Sequence, residues 1–171
     1  MKRGDVVMRI VGIDPGLART GFGVIEDSEP ASCLVYGVIE TDAALSVSDR
    51  LMILFSRLEH LIDEWSPKVA AVEELFFARN VSSALVVGQA RGVALLALAR
   101  HGLPVSEYKP AQVKQAITGH GRADKEQVQS MVTFLLGLDA PPRPDDAADA
   151  LAVALCHAQS LSFLARVSEG I

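Results

Sequence analysis

The stretch Arg9-Ile-Val-Gly-Ile-Asp-Pro-Gly16, closed by Thr20-Gly-Phe-Gly-Val24, decides how the rest of the chain is read. Ile10, Val11 and Ile13 are β-branched, so residues 9–14 predict a strand. Pro15 and Gly16 end it, because proline donates nothing to a ladder and glycine accepts a turn. Phe22 to Glu26 resumes an extended pattern, and the two runs are expected to pair as a hairpin. The first run stays apolar until it ends in one carboxylate, Asp14, flanked by Gly12 and Gly16. Bare backbone on both sides leaves space for something bulky to approach. Taken alone, Asp14 is equally a turn cap or part of a site.

Working outward, Ser32 to Glu40 predicts a third strand after a turn at Ser28 to Pro30, which favours an antiparallel meander. Ser48 is placed to cap a helix in which Leu51, Leu54, Phe55, Leu58, Leu61, Ile62 and Trp65 recur at helical spacing, ending before Pro67. Val69 to Glu73 is then a fourth strand, reached through a helix and so expected parallel to the first. A second helix starts at Asn80 or Ser82 and ends at Arg100-His101-Gly102. Pro104 to Tyr108 predicts a fifth strand, Pro110 opens a helix through Thr118, and Asp124 caps another. A proline-rich link at Pro141 to Pro144 leads into a last helix from about Asp145 to Gln159. The order of elements predicts an α/β fold with a mixed five-stranded sheet flanked by helices. Residues 9–159 form the expected domain, with residues 1–8 an N-terminal extension and 160–171 a tail.

A chain of 171 residues, half of them hydrophobic and 22% charged, supports one domain with a sizeable core and excludes disorder. Cys33 and Cys156 lie in apolar surroundings without metal-ligand spacing, as expected for reduced core thiols of a cytoplasmic protein. Neither a leader nor a membrane span is expected, since the most apolar run, Val86 to Ala99, is interrupted by Gln89 and Arg91. A net charge of −5 argues against coating nucleic acid by bulk electrostatics. It is compatible with a nuclease, whose metal-binding carboxylates lower the count.

Three acidic places stand out: Asp14, Glu73-Glu74 at the end of an apolar strand, and Asp145-Asp146-Ala-Ala-Asp149 at the start of an apolar helix. Strand alternation lets only one of the two glutamates face the same way as Ala71. Asp146 and Asp149 are separated by roughly 60° around a helix and Asp145 and Asp149 by roughly 40°, so spacing leaves open which pair acts together. The helix dipole favours acidic residues at a helix start, but capping explains one of these aspartates well and three poorly. If the first and fourth strands are neighbours, carboxylates from all three places meet at one point. Like charges so close need cations between them, and oxygen ligands suit Mg²⁺ or Mn²⁺. Two such ions can clamp the attacking and leaving oxygens of a phosphodiester.

Gly12-Ile-Asp-Pro-Gly16 with Thr20-Gly21, Val72-Glu-Glu-Leu-Phe76, Gly88-Gln-Ala-Arg-Gly-Val-Ala94, Gln112-Val-Lys-Gln115 and Asp146-Ala-Ala-Asp-Ala-Leu-Ala152 together closely resemble the RuvC Holliday junction resolvases. The match runs in order and spacing from about Arg9 to Ala158. The resemblance implies a ribonuclease H-like fold and a metal-dependent endodeoxyribonuclease. It further implies a homodimer that nicks two strands of a four-way DNA junction symmetrically, with a branch-migration motor complex as partner. Carried over by motif, Asp14, Glu73, Asp146 and Asp149 are the implied catalytic metal ligands, for Mg²⁺ or its substitute Mn²⁺, two ions per active site. Phe76 matches an aromatic that contacts distorted bases, although without the resemblance it reads as core. Lys114, also catalytic, and Lys125 fall where the family keeps basic residues by the scissile phosphate, and Arg79 is a further DNA contact. Some family members carry a histidine where Asp146 stands, and no histidine is expected to be obligatory here. His120, between two glycines, is the one histidine placed to carry a proton.

Three other readings compete. The Gly12-Ile-Asp-Pro-Gly16 loop also resembles the first phosphate loop of actin-like ATPases and sugar kinases, but 171 residues leave no space for their second domain. A YqgF-like nuclease acting on RNA precursors is the nearer alternative, disfavoured by the blocks at Gly88 to Ala94 and Gln112 to Gln115. A catalytically dead DNA-binding module is disfavoured by the full carboxylate set. Finally, Ala84, Gly88, Gly92 and Ala99, with Leu85 and Leu95 close by, form a smooth stripe on the second helix. That stripe serves either the protein's own sheet or a two-fold contact with a second copy.

Overall fold

The apolar run that opens the chain lies at the centre of the sheet, as β1 (Met8–Asp14). In the computed structural model, which describes residues 7–74 and 81–168, β1 pairs antiparallel with β2 (Arg19–Asp27) and β2 with β3 (Ser32–Glu40). On its other side β1 runs parallel to β4 (Val69–Glu73), and β4 runs parallel to β5 (Val105–Tyr108). The order β3-β2-β1-β4-β5 is the mixed five-stranded sheet expected from the sequence. β2 begins at Arg19, ahead of the expected Phe22, because Asp14 pairs with Gly21 and the hairpin is tighter than the apolar pattern suggested.

One face of the sheet, including Val11, Ile13, Val24 and Val72, is covered by α1 (Val47–Trp65) and α2 (Val81–Arg100). Ser46, rather than the expected Ser48, caps α1: its Oγ accepts from the Asp49 amide at 3.1 Å. The opposite face, with Ile10, Ile25 and Ala71, is covered by α3 (Pro110–Thr118), α4 (Lys125–Leu135) and α5 (Asp145–Ser168). Asp124 caps α4 as predicted, accepting from the Gln127 amide at 2.8 Å. α5 continues to Ser168, beyond the expected end near Gln159, because Leu161, Leu164, Ala165 and Arg166 are good helix formers with no breaker among them.

α2 and α5 are long and apolar enough to cross a membrane by length and composition. α5, however, is enclosed by the sheet, α3 and α4, with every residue from Ala147 to Ala158 except Asp149 buried. That burial is the pattern of a core helix. Its small side chains let it lie almost on the sheet backbone. A Cβ at Gly12 would collide with the Ala150 carbonyl, and one at Gly21 with the Asp146 carbonyl. Cys33 and Cys156 are free thiols, both pushed up to about 11 by burial, and so unreactive at neutral pH.

Candidate active site

Parallel pairing of β1 and β4 brings two strand ends to the same edge of the sheet, and those ends are Asp14 and Glu73. Residues two apart share a face, so Asp14 follows Ile10 and Gly12 toward α5, and Glu73 follows Ala71. Alternation therefore selects Glu73 and turns Glu74 toward the other face. The turn after Asp14 is held by Thr20, whose buried hydroxyl donates to the Gly16 carbonyl at 2.6 Å and accepts from the Gly16 amide at 3.3 Å. α5 arrives over this edge with its first turn, because Gly21 offers no side chain to hold Asp146 off.

The carboxylates near this edge act on one another through their charge. Asp14 is pushed up to about 8, first by burial and then by the charges of Glu73, Asp149 and Asp146. Glu73 is raised by burial and by Asp149, against the opposing pull of a proton shared with Asp14 and the charges of Lys114 and Lys125. Asp149 is raised by burial despite Lys125 beside it. Asp145 is not among the groups acting on Asp14. It is held below the usual carboxylate range by hydrogen bonds from Gln129 and Lys125 and lies 2.6 Å from Arg143. Asp146 and Asp149 are thus the two aspartates of this helix whose charges act on Asp14, while Asp145 pairs with Lys125 and Arg143.

Lys114, on α3, and Lys125, at the start of α4, line one hollow of about 220 Å³ with Glu73, Asp149, Pro110 and Val113. Lys125 Nζ is 3.3 Å from Asp145 and 3.5 Å from Asp149. Burial acts to lower its pKa, but these carboxylates raise it overall. Arg19, which sequence reading passed over, places its Nε 3.6 Å from Asp146. It stands two residues before Gly21 on the same face of β2, and that spacing was the available signal. Phe76 and Arg79 lie outside the described residues. His120 is exposed in the turn after α3, and His157 is buried on α5 with its Nδ1 2.7 Å from the Tyr108 hydroxyl.

Among the described residues no three acidic side chains already close around a point as a ligand set, since Asp146 is turned to Arg19 and Asp149 to Lys125. The donor chemistry nevertheless fits a divalent cation. Asp14 feels the charge of three further carboxylates, Glu73, Asp149 and Asp146, and oxygen-bound cations relieve such crowding.

Sheet order, helix placement and this carboxylate edge define a nuclease of the ribonuclease H-like class. The chain belongs to the RuvC family, whose model, described as crossover junction endodeoxyribonuclease RuvC, matches residues 10–157. It is 56% identical over 163 residues to the crossover junction endodeoxyribonuclease RuvC of Roseiflexus sp. (strain RS-1), covering 95% of this chain and 97% of the relative. The Heliobacterium modesticaldum protein of the same name is 57% identical over 157 residues, covering 91% and 97%. Thermus thermophilus RuvC, solved in complex with a Holliday junction substrate, superposes with a TM-score of 0.84 at 38% identity, covering 91% of this chain and 96% of that one.

Proposed function

We propose that this chain is a structure-selective endodeoxyribonuclease that resolves four-way DNA junctions by paired, symmetric, metal-dependent hydrolysis in the cytoplasm. The observation that carries the reading is the convergence of Asp14, Glu73, Asp146 and Asp149 on one sheet edge beside Lys114 and Lys125. In this reading the four carboxylates hold Mg²⁺, or Mn²⁺ in its place, at two ions per site. When bound, the ions supply a more acidic attacking water and charge for the leaving oxygen. Lys114 stabilises charge on the scissile phosphate, Lys125 and Arg79 bind flanking phosphates, and Phe76 stacks on opened bases. The YqgF-like alternative finds no support in the family match. Cleavage of a synthetic four-way junction, beside a matched linear duplex and an RNA of the same sequence, tests the reading. Preference for the RNA would overturn it.

Lys114→Ala separates rate from binding. Loss of transition-state stabilisation is expected to lower the single-turnover rate at saturating protein by roughly 10²-fold or more. If saturating protein restores the rate, Lys114 is only a binding contact.

Paired incision requires two sites, and α2 is the surface proposed to join two copies. Its inner face is Ala90, Ala94, Ala97 and Leu98; of the smooth stripe, Gly92 and Ala99 are exposed and Ala84 and Gly88 half-buried. Val81, Leu85, Gly92, Leu96 and Ala99 run along the outside, and Leu96 rather than half-buried Leu95 belongs to that seam. Gly92 is exposed and a Cβ there meets nothing within 4 Å, so Gly92→Leu starts into open space on the monomer. It is expected to weaken dimerisation by about 1 to 3 kcal/mol through overpacking and to turn linear product from a cruciform plasmid into nicked circles. A variant that remains dimeric and yields linear product would place the contact elsewhere. A branch-migration motor would engage the junction together with this dimer.

A further inference from the structure

We propose that Arg19 is an exchangeable partner of Asp146, which a divalent cation displaces and which then binds a DNA phosphate next to the scissile one. The inference rests on the nuclease reading above and assigns a role to a residue outside the motif set. Arg19 opens β2, and alternation places it on the face of Gly21, directly against the first turn of α5. Its side chain is half exposed, at 50%, and its Nε is 3.6 Å from Asp146 Oδ2. It lines two open grooves of about 500 and 560 Å³ that meet at Asp146, the first with Gly16 and Val87, the second with Lys125 and Arg143.

These grooves adjoin at the start of α5, where Arg19 of β2, Lys125 of α4 and Arg143 of the preceding link supply the cations. Each cation has a carboxylate partner: Arg19 with Asp146, Lys125 with Asp145 and Asp149, and Arg143 with Asp145. Arg19 differs from Arg143 in one respect: its partner belongs to the cluster around Asp14. A divalent cation drawn to that cluster competes with the guanidinium for the charge of Asp146. Guanidinium carries five donors in a planar fork that matches phosphate, and a half-exposed fork facing an open groove is free to turn to one. Arg19 thus opposes the cation when DNA is absent and assists DNA when the cation is in place.

The test uses Arg19→Gln, Arg19→Lys and Arg143→Gln in the full chain, with thermal unfolding as the folding control. Mn²⁺ is titrated without DNA, free ion being followed by electron paramagnetic resonance. Arg19→Gln is expected to bind Mn²⁺ about two- to fivefold more tightly, whereas Arg143→Gln leaves the midpoint in place. Junction binding is then measured in Ca²⁺ across a salt series. Arg19→Gln is expected to lose affinity about three- to tenfold with a salt slope shallower by about one, and Arg19→Lys to keep the slope. Weaker Mn²⁺ binding by Arg19→Gln would mean that Arg19 orients Asp146 as a ligand, and would overturn the proposal. An unchanged salt slope would overturn it equally, and so would an identical Mn²⁺ shift in Arg143→Gln. Wild-type discrimination between junction and duplex is read alongside. Its loss would count against the nuclease reading, while the DNA-free titration still decides the exchange at Asp146.

Discussion

Asp14→Asn is expected to lower junction cleavage by roughly 10³-fold or more while making the ion-free protein more stable at pH 8. The amide keeps the shape of the side chain but loses the charge that draws a cation into the site. DNA binding is expected to survive, because phosphate contacts come from the surrounding cations. The gain in stability follows from the same crowding that equips the site. Asp14 keeps its proton to about pH 8 in the folded protein, against 3.8 for its ordinary value. Between these pH values the folded state binds more protons than the unfolded one, so this group makes stability fall as pH rises. Asparagine removes the penalty. The difference should vanish near pH 4, grow through neutrality and reach about 1 to 3 kcal/mol at pH 8 and above. Divalent cation should reverse the ranking, stabilising the wild type more than the variant. Thermal unfolding at pH 5 and pH 8, with chelator or Mg²⁺, checks the stability limb, and single-turnover cleavage checks the other. A variant less stable than wild type at pH 8 in chelator would show that Asp14 is not penalised by its neighbours.

Where a residue's neighbours along the chain decide its role, the sequence was legible. β-branched residues closed by Pro15 predict β1, and a helix between strands predicts that β4 lies parallel to it. Alternation narrowed Glu73-Glu74 to one glutamate facing with Ala71, the family resemblance chose Glu73, and in the fold Glu73 ends β4 beside Asp14. The choice between Asp145 and Asp146 was beyond spacing, because both reach Asp149 on a helix. Only the position of β2 beneath the first turn of α5 separates them. The resemblance had already chosen Asp146. Arg19 was missed for a related reason: its partner is far away in sequence, and only its spacing to Gly21 on one face of β2 pointed toward the first turn of α5. The stripe on α2 was seen, but its direction was not. Alanine and glycine have too little hydrophobic contrast to show which side faces the sheet, and Leu95 and Leu96 differ by one position around the helix.

Gly12→Ala is expected to cost more than about 4 kcal/mol and to leave little folded protein, whereas the same methyl group at Gly37 should cost less than about 1 kcal/mol. The two glycines both lie in strands, so lost backbone freedom is comparable and contact decides the outcome. At Gly12 the added Cβ falls on the Ala150 carbonyl oxygen and within 2.9 Å of both the amide nitrogen and the Cβ of Ala154. Those are backbone atoms of a core helix held on the sheet from Ala147 to Ala158, so relief requires moving the whole of α5. At Gly37 the nearest atom is the tip of the Phe22 ring at 3.0 Å, and a half-buried ring can turn. Gly21→Ala lies between these cases and carries the functional consequence. Its Cβ meets the Asp146 carbonyl oxygen and comes within 2.5 Å of the carbonyl carbon, at the free end of α5, where the first turn can lift without unseating the rest. A lift of about 1 Å would carry Asp146 away from Asp14 and is expected to slow cleavage by roughly 10²-fold. Stability should fall less than for Gly12→Ala, because the displaced turn is partly exposed. Lighter crowding of Asp14, whose pKa should drop as Asp146 recedes, offsets part of that loss. Urea unfolding of the three variants, with single-turnover cleavage of Gly21→Ala at saturating Mg²⁺, reads both effects. Equal stabilities for Gly12→Ala and Gly37→Ala would refute the view that α5 is seated directly on bare strand backbone. Full activity in Gly21→Ala would refute the idea that this seating sets the position of Asp146.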